Sequence, residues 1–410
     1  MHMQDKLKKA TWGFVADKKE YFRNWLFDYP IVISKNRNDK LERLQQIMFK
    51  FIAGFVTNYL AKYQSAMPLN TNELQVIEVF NNSDSYSPGT YRTDFVYDNQ
   101  GHEKLIEITC RFSLNSVFES SVFHEFSKEF VLSNTGVQPM LNEYENIFTH
   151  LSHLIGDKRQ IIILKGSDLK NSSRVFKGIF LDAGLEVREI IWSELSSHHQ
   201  YLKKAFVISE LTLDEIVQLD KETLKVLSEC HLINDFRTVL LIHDKRFFSV
   251  LYNEQIQQDL LTIEERAFLK PFLIPTYNYL PESEEWKDAK DCKDRWILKH
   301  RALGKSKSIY AGPVTRQKEW DDIMLSAEIH DYILQKWIPQ QTVKGNLRNE
   351  SHDDFITGTL MYFDNYYFGL GPFRTSSHPV TNVVDDRKAF YLALEKPSTV
   401  PNEKSLMKLE

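Results

Sequence analysis

The chain has 410 residues, 42% apolar and 26% charged, which is length and composition enough for two or three soluble domains with their own cores. A formal net charge of −5 excludes a general nucleic-acid binder, which needs a basic face to displace counterions. Three scattered cysteines, Cys110, Cys230 and Cys292, exclude a disulfide framework or a cysteine zinc site, and no apolar run is long enough for a membrane-spanning helix.

Lysines follow the first residues where a signal peptide would carry an apolar stretch, so the expected address is the cytoplasm. Residues 39–63 read as an amphipathic helix, with Leu41, Leu44, Ile47, Met48, Phe51 and Ile52 at helical spacing. After a polar run, residues 91–97 and 104–109 flank Asp98-Asn99-Gln100-Gly101, which is hairpin chemistry. Residues 123–130 and 143–154 read as helical. The texture changes near Gly156. Residues 160–164 form a continuous apolar run, expected of a strand buried on both faces. A helix (173–183) and strands at 187–192, 205–208 and 239–242, with a helix at 219–230, predict a parallel sheet of Rossmann type. It has no GxGxxG, so nothing makes it a dinucleotide site.

Pro271, Pro275, Pro281 and the acidic run 282–285 mark a linker. Beyond it come a strand (295–299), a polar loop (304–308) that exits through 309–312, a helix (320–329), a strand (332–337) and a hairpin (355–371). The tail from residue 396 is polar and expected to be loose.

The first hairpin carries the sharpest chemistry. If Tyr97 faces Lys104 across the turn, Asp94 faces Glu107 and Arg92 faces Thr109, all on one face. Opposed carboxylates repel unless a cation lies between them. Magnesium suits that role, since it takes one or two carboxylates and completes its shell with phosphate and water. A solvated face, with Arg92 neutralising one acid, is the other reading, and both stand at this point. A metal nuclease would place a lysine where Thr109 stands, and the acidic net charge also argues against it. Lys299 ends an apolar strand, and Lys305, Ser306 and Lys307 occupy the loop after it. Such a strand–loop–strand can fold over a polyphosphate. Lys245 follows an expected strand and opens a helix. His150 and His153, and the pair His198 and His199, are read as surface residues rather than ligands.

Together these segments resemble the ATP-grasp family. Arg92-Thr-Asp94 and Ile106-Glu107-Ile-Thr109 look like its magnesium end, where Arg-x-Asp is followed by a hydrophobic residue and Glu-x-Asn. Residues 296–312, with Trp320 and 332–338, look like its ATP clamp. The hairpin here precedes the clamp, an order similar to circularly permuted ATP-grasp proteins related to glutathionylspermidine synthase and to certain peptide ligases. The resemblance implies an α/β (α+β) fold: a circularly permuted ATP-grasp with a Rossmann-like pre-ATP-grasp domain inserted mid-chain. Its magnesium-binding part would span 1–154, the Rossmann-like domain 155–275, the ATP-clamping part 276–395 and a loose tail 396–410.

The same resemblance implies an ATP-dependent carboxylate–amine ligase, forming an amide or peptide bond through an acyl phosphate, with ATP and two Mg2+ ions as cofactors. Asp94, Glu107 and Thr109 would hold metal. Lys245, Lys299, Lys305 and Ser306 would meet phosphate, and the backbone at Gln335, Lys336, Trp337 and Ile338 would read adenine. Arg374 would stabilise the acyl phosphate, with Arg92 and Arg111 assisting. The partners implied are a small-molecule or peptide carboxylate and an amine, with no nucleic acid and no membrane. Thr109 replaces the family's Asn, and the 303–308 loop has a single glycine. Both departures favour a catalytically weakened nucleotide-binding relative as an alternative, and a small-molecule kinase, which would need the same clamp, is another.

Overall fold

A computed structural model of the chain describes residues 2–82, 86–111, 114–133, 137–140, 146–158, 160–167, 173–203, 205–304, 307–381, 389–396 and 407–408. The fold is mixed α/β and is organised around four sheets. At the centre lies Glu350–Phe363, a strand of 14 residues that pairs antiparallel with four others. One partner is Thr90–Tyr97, which pairs on its other edge with Glu103–Thr109. The expected hairpin therefore forms, and its first strand is internal to a seven-stranded sheet that also contains Phe373–Ser376. Segments more than 240 residues apart thus share one ladder. Lys35–Asn58 lays the expected stripe, Leu41, Leu44, Ile47, Met48, Phe51 and Ile52, into the core that holds Phe95, Leu105, Leu360 and Phe373. Ser34 caps it by accepting from the Arg37 amide.

The parallel sheet forms with the order Glu186–Ile191, Gln160–Lys165, Phe206–Ser209, His231–Ile233. The apolar run in Gln160–Lys165 is divided between two faces: Ile161 and Ile163 enter one core cluster and Ile162 and Leu164 another. One expected strand is wrong. Thr238–Ile242 is a π-helical turn, and the fourth strand is His231–Ile233. All five residues of that turn are buried, so the run carries no helical periodicity and reads like a buried strand.

A third sheet has the order Ile309–Ala311, Trp296–His300, Tyr332–Lys336, Thr276–Asn278, all antiparallel. Trp286 and Trp320, from Glu284–Asp291 and Gln317–Met324, pack beneath it with Leu298 and Leu334. The expected helix at 320–329 divides into Gln317–Met324 and a 3-10 turn, Ala327–Asp331.

Several elements are not expected from the sequence, among them the three that follow and, where a linker is read, Thr276–Asn278 and Glu284–Asp291. Met3–Arg23 buries only Leu7, Ala10, Thr11 and Val15, too sparse a stripe to notice. Thr71–Asn81 is closed by a capping box between Asn70 and Glu73. Ile31–Ser34 pairs with Ala393–Lys396 and, at Ile31 and Val32, with Met407 and Lys408. The tail is therefore not loose at 407–408, because those residues complete a sheet edge. His150 is not a surface residue either. It lies 2.6 Å from Asp364 Oδ2 and packs on Phe363 and Tyr366.

Candidate active site

The acid hairpin does not keep the simple register expected for it. Tyr97 faces Glu103 rather than Lys104, and Phe95 faces Leu105. A β-bulge at Ile106 then adds one residue, so that Asp94 faces Glu107 and Arg92 faces Thr109. The bulge restores the acid pair, and it frees the Ile106 carbonyl from the ladder. That carbonyl accepts from Lys299 Nζ at 3.0 Å.

Asp94 pairs with Thr359 on one side of its strand and Glu107 on the other, and is fully buried. A buried carboxylate must be paired or lose its charge. Arg92, two residues back on the same face, donates from Nε to Oδ1 at 2.7 Å and from Nη2 to Oδ2 at 3.2 Å. Arg374, opposite Thr357 in the same sheet, donates to Oδ2 as well. Burial lowers the Arg374 pKa, and Asp94 opposes that shift.

Lys299 enters from Trp296–His300, 6% exposed. Besides Ile106 it donates to Gln335 Oε1 at 2.7 Å, and Gln335 Nε2 in turn donates to Thr276 Oγ1 at 2.8 Å. Both acceptors of the ammonium are neutral. Burial therefore pulls its pKa down to about 7, Glu107 pushing it up and Lys245 pulling it further down. Lys245 lies 3.5 Å from Glu107 Oε1 and donates to the Leu303 carbonyl at 2.6 Å. Its loop is pinned by Arg301, which bonds the buried Asp244 at 3.0 Å and Glu73 at 3.1 Å and accepts from the Lys245 amide at 2.9 Å. Burial raises the Glu107 carboxyl pKa, but Lys245, His243, Lys299 and Arg92 outweigh it and hold the group below its ordinary value.

These side chains meet around one cleft. Asp94, Glu107, Lys245, Lys299 and Arg374 line it, and so do Gln335, Lys336, Trp337 and Ile338. Val96, Ile106, Ile274, Ile297, Ile309 and Val380 add an apolar lining. The amides of Lys336 and Trp337 are engaged by the Pro275 and Arg295 carbonyls at 3.0 and 2.8 Å. Any backbone reading of a base therefore passes to Ile338 and to carbonyls.

Not every expected residue arrives. Arg92 reaches the cleft only through Asp94. Thr109 and Arg111 are not part of its lining, although Arg111 is close enough to His243 to affect its charge. Lys305 and Ser306 lie outside the described residues. Lining residues missed in the sequence include Thr357, Gln340 and Thr381, the first hydrogen-bonded to the last at 2.8 Å. None of the three carries a signal in the sequence, because each reaches the cleft only through tertiary pairing. Among the described residues no group of three or more His, Cys, Asp or Glu side chains is placed to hold a metal. Magnesium fits here only where phosphate and water complete its shell, with Glu107 as the carboxylate free to bind it.

The family model of the AnkG N-terminal domain matches residues 41–241, a span that includes the acid hairpin and the parallel sheet but not Lys299, residues 335–338 or Arg374. No curated protein matches. Among solved structures, a glutathione synthetase-like effector from Globodera pallida, in its apo form, aligns over 95% of this chain and 96% of its own, at 11% identity and a TM-score of 0.58. A Methylobacillus flagellatus KT protein described as a gamma-glutamylcysteine synthetase aligns over 82% of this chain and 83% of its own, at 13% identity and a TM-score of 0.40. The first likeness shows a shared fold across nearly the whole chain.

Proposed function

We propose that the chain binds ATP in this cleft and joins a carboxylate to an amine through an acyl phosphate. One observation carries the reading. Acids from residues 90–109, a lysine from the 243–246 loop, and Lys299, residues 335–338 and Arg374 converge on one slot lined by both charged and apolar side chains. A nucleotide has both characters, with a flat base at one end and a polyphosphate at the other. On this reading the fold is a circularly permuted ATP-grasp, with the parallel sheet as its inserted Rossmann-like part. The shared fold with a glutathione synthetase-like protein supports it.

In this proposal the base lies among Ile274, Ile297 and Ile309 against Trp337. Lys245 and Lys299 take the phosphates. Arg374 faces the carboxylate that attacks the γ-phosphate, and neutralises charge on the acyl phosphate before an amine displaces phosphate. Phosphoryl transfer asks mainly for positioning and charge neutralisation, which this donor set provides without a protein nucleophile. Magnesium, where bound, would be held by Glu107 and would supply further charge neutralisation. A second reading, a catalytically weakened nucleotide-binding relative, is favoured by one fact: Asp94 is already engaged by two arginines.

The test is incubation of the chain with ATP, magnesium and pools of amino acids and short peptides, with hydroxylamine as a trap for acyl phosphate. The expected result is release of ADP and phosphate that needs a carboxylate, with hydroxamate formed, and loss of both in a folded Lys299→Ala. Nucleotide binding without turnover on any pool selects the weakened relative. Absence of nucleotide binding by calorimetry refutes both readings.

A further inference from the structure

The oxygen count around the two acids departs from a two-ion site. Both oxygens of Asp94 are engaged by arginine: Oδ1 accepts from Arg92, and Oδ2 accepts from Arg92 and Arg374. Its side chain is 1% exposed, so water does not compete for these contacts. A metal at Asp94 would have to displace a two-pronged guanidinium and then sit beside two partly buried cations that had lost their nearest carboxylate. Glu107 differs. Its Oε1 is 3.5 Å from Lys245, its side chain is 25% exposed, and among the described residues no hydrogen bond or ion pair engages Oε2. Thr109, the third expected ligand, does not line the cleft.

The charge balance agrees. Lys245, Lys299, Lys336 and Arg374 line the cleft with Asp94 and Glu107, so basic side chains outnumber acidic ones. That excess offsets part of a triphosphate's charge without a second ion.

Resting on the proposal that the cleft takes a nucleotide, we infer that this chain binds a nucleoside triphosphate with at most one divalent ion, held by Glu107. Asp94 is not a metal ligand but the anchor of a clasp, Arg92–Asp94–Arg374, that holds Arg374 toward the cleft. The protein's own cations, rather than a second metal, neutralise the phosphates.

The experiment uses the full chain, a non-hydrolysable β,γ-imido analogue of ATP, and Mn2+ as the probe ion. Bound Mn2+ is counted by electron paramagnetic resonance at saturating analogue. The expected result is no more than one Mn2+ per chain, with analogue binding in EDTA weakened by no more than about tenfold. Glu107→Gln should lower Mn2+ affinity about tenfold or more, while Asp94→Asn, checked for an unchanged near-ultraviolet circular dichroism spectrum, should keep it. If Asp94→Asn does not fold, the wild-type count decides. Two Mn2+ per chain, or loss of Mn2+ in a folded Asp94→Asn, overturns the inference and leaves the nucleotide reading intact. No analogue binding with or without metal overturns both.

Discussion

Lys299 provides the most demanding test, because its burial makes nucleotide binding depend on pH in a defined direction. In the free protein its pKa is about 7, from an ordinary 10.5, chiefly through burial. A polyphosphate arriving beside it favours the charged form and restores a high value. The protonated chain is therefore the one that binds. Affinity is full well below pH 7 and is lost as pH rises through that value, while Glu107, held below its usual pKa, stays ionised throughout. With a bound-state pKa near the ordinary value, the association constant should fall about 50-fold between pH 7 and 9, or roughly 2 kcal/mol. At pH 8 each nucleotide should take up about 0.9 proton. Calorimetry in two buffers of different ionisation enthalpy measures that uptake directly, and Lys299→Met should bind weakly with no dependence over the same range. A flat wild-type profile, or release of a proton on binding, refutes the reasoning.

Two further outcomes follow from the hairpin. Asp94→Ala leaves Arg92 and Arg374, both partly buried, without their shared carboxylate, and the cost should be about 3 kcal/mol in denaturant unfolding. A loss below 1 kcal/mol would mean that the clasp is open in solution. Deleting Ile106 removes the bulge but leaves Glu107 opposite Asp94, so the acid pair survives while Lys299 loses its carbonyl acceptor. Nucleotide affinity should then drop by about tenfold or more, as for a hydrogen bond to a charged group, in fluorescence competition. Unchanged binding would show that the bulge does not position Lys299.

The sequence reading reached the acid pair by a route that was only half right. It assumed a regular ladder from Tyr97 opposite Lys104, and the real turn is one residue out of that register. The bulge at Ile106 corrects the difference, and no propensity marks Ile106 as bulged. The 239–242 run failed for a related reason: when every side of a segment is buried, the pattern that separates helix from strand vanishes. His150 was misread because its partner Asp364 lies 214 residues away. Strands with alternating or continuous apolar runs, by contrast, formed where expected, as in Gln160–Lys165 and Trp296–His300.

What the sequence determined by itself was local: which residues lie on one face of a strand, which helix face is apolar, and that Asp94, Glu107, Lys245, Lys299 and Arg374 are of kinds that handle phosphate. Those properties depend on the period of the backbone and the chemistry of single side chains, and both are written in adjacent residues. Tertiary structure alone decided that a strand at 350–363 draws Thr90–Tyr97 and Phe373–Ser376 into one sheet, so that Arg374 reaches Asp94 from 280 residues away. It also decided that Asp94 is engaged by arginines and Glu107 is left open. Charge partners in a buried site are chosen by distance and desolvation, and neither has any counterpart in the order of residues along the chain.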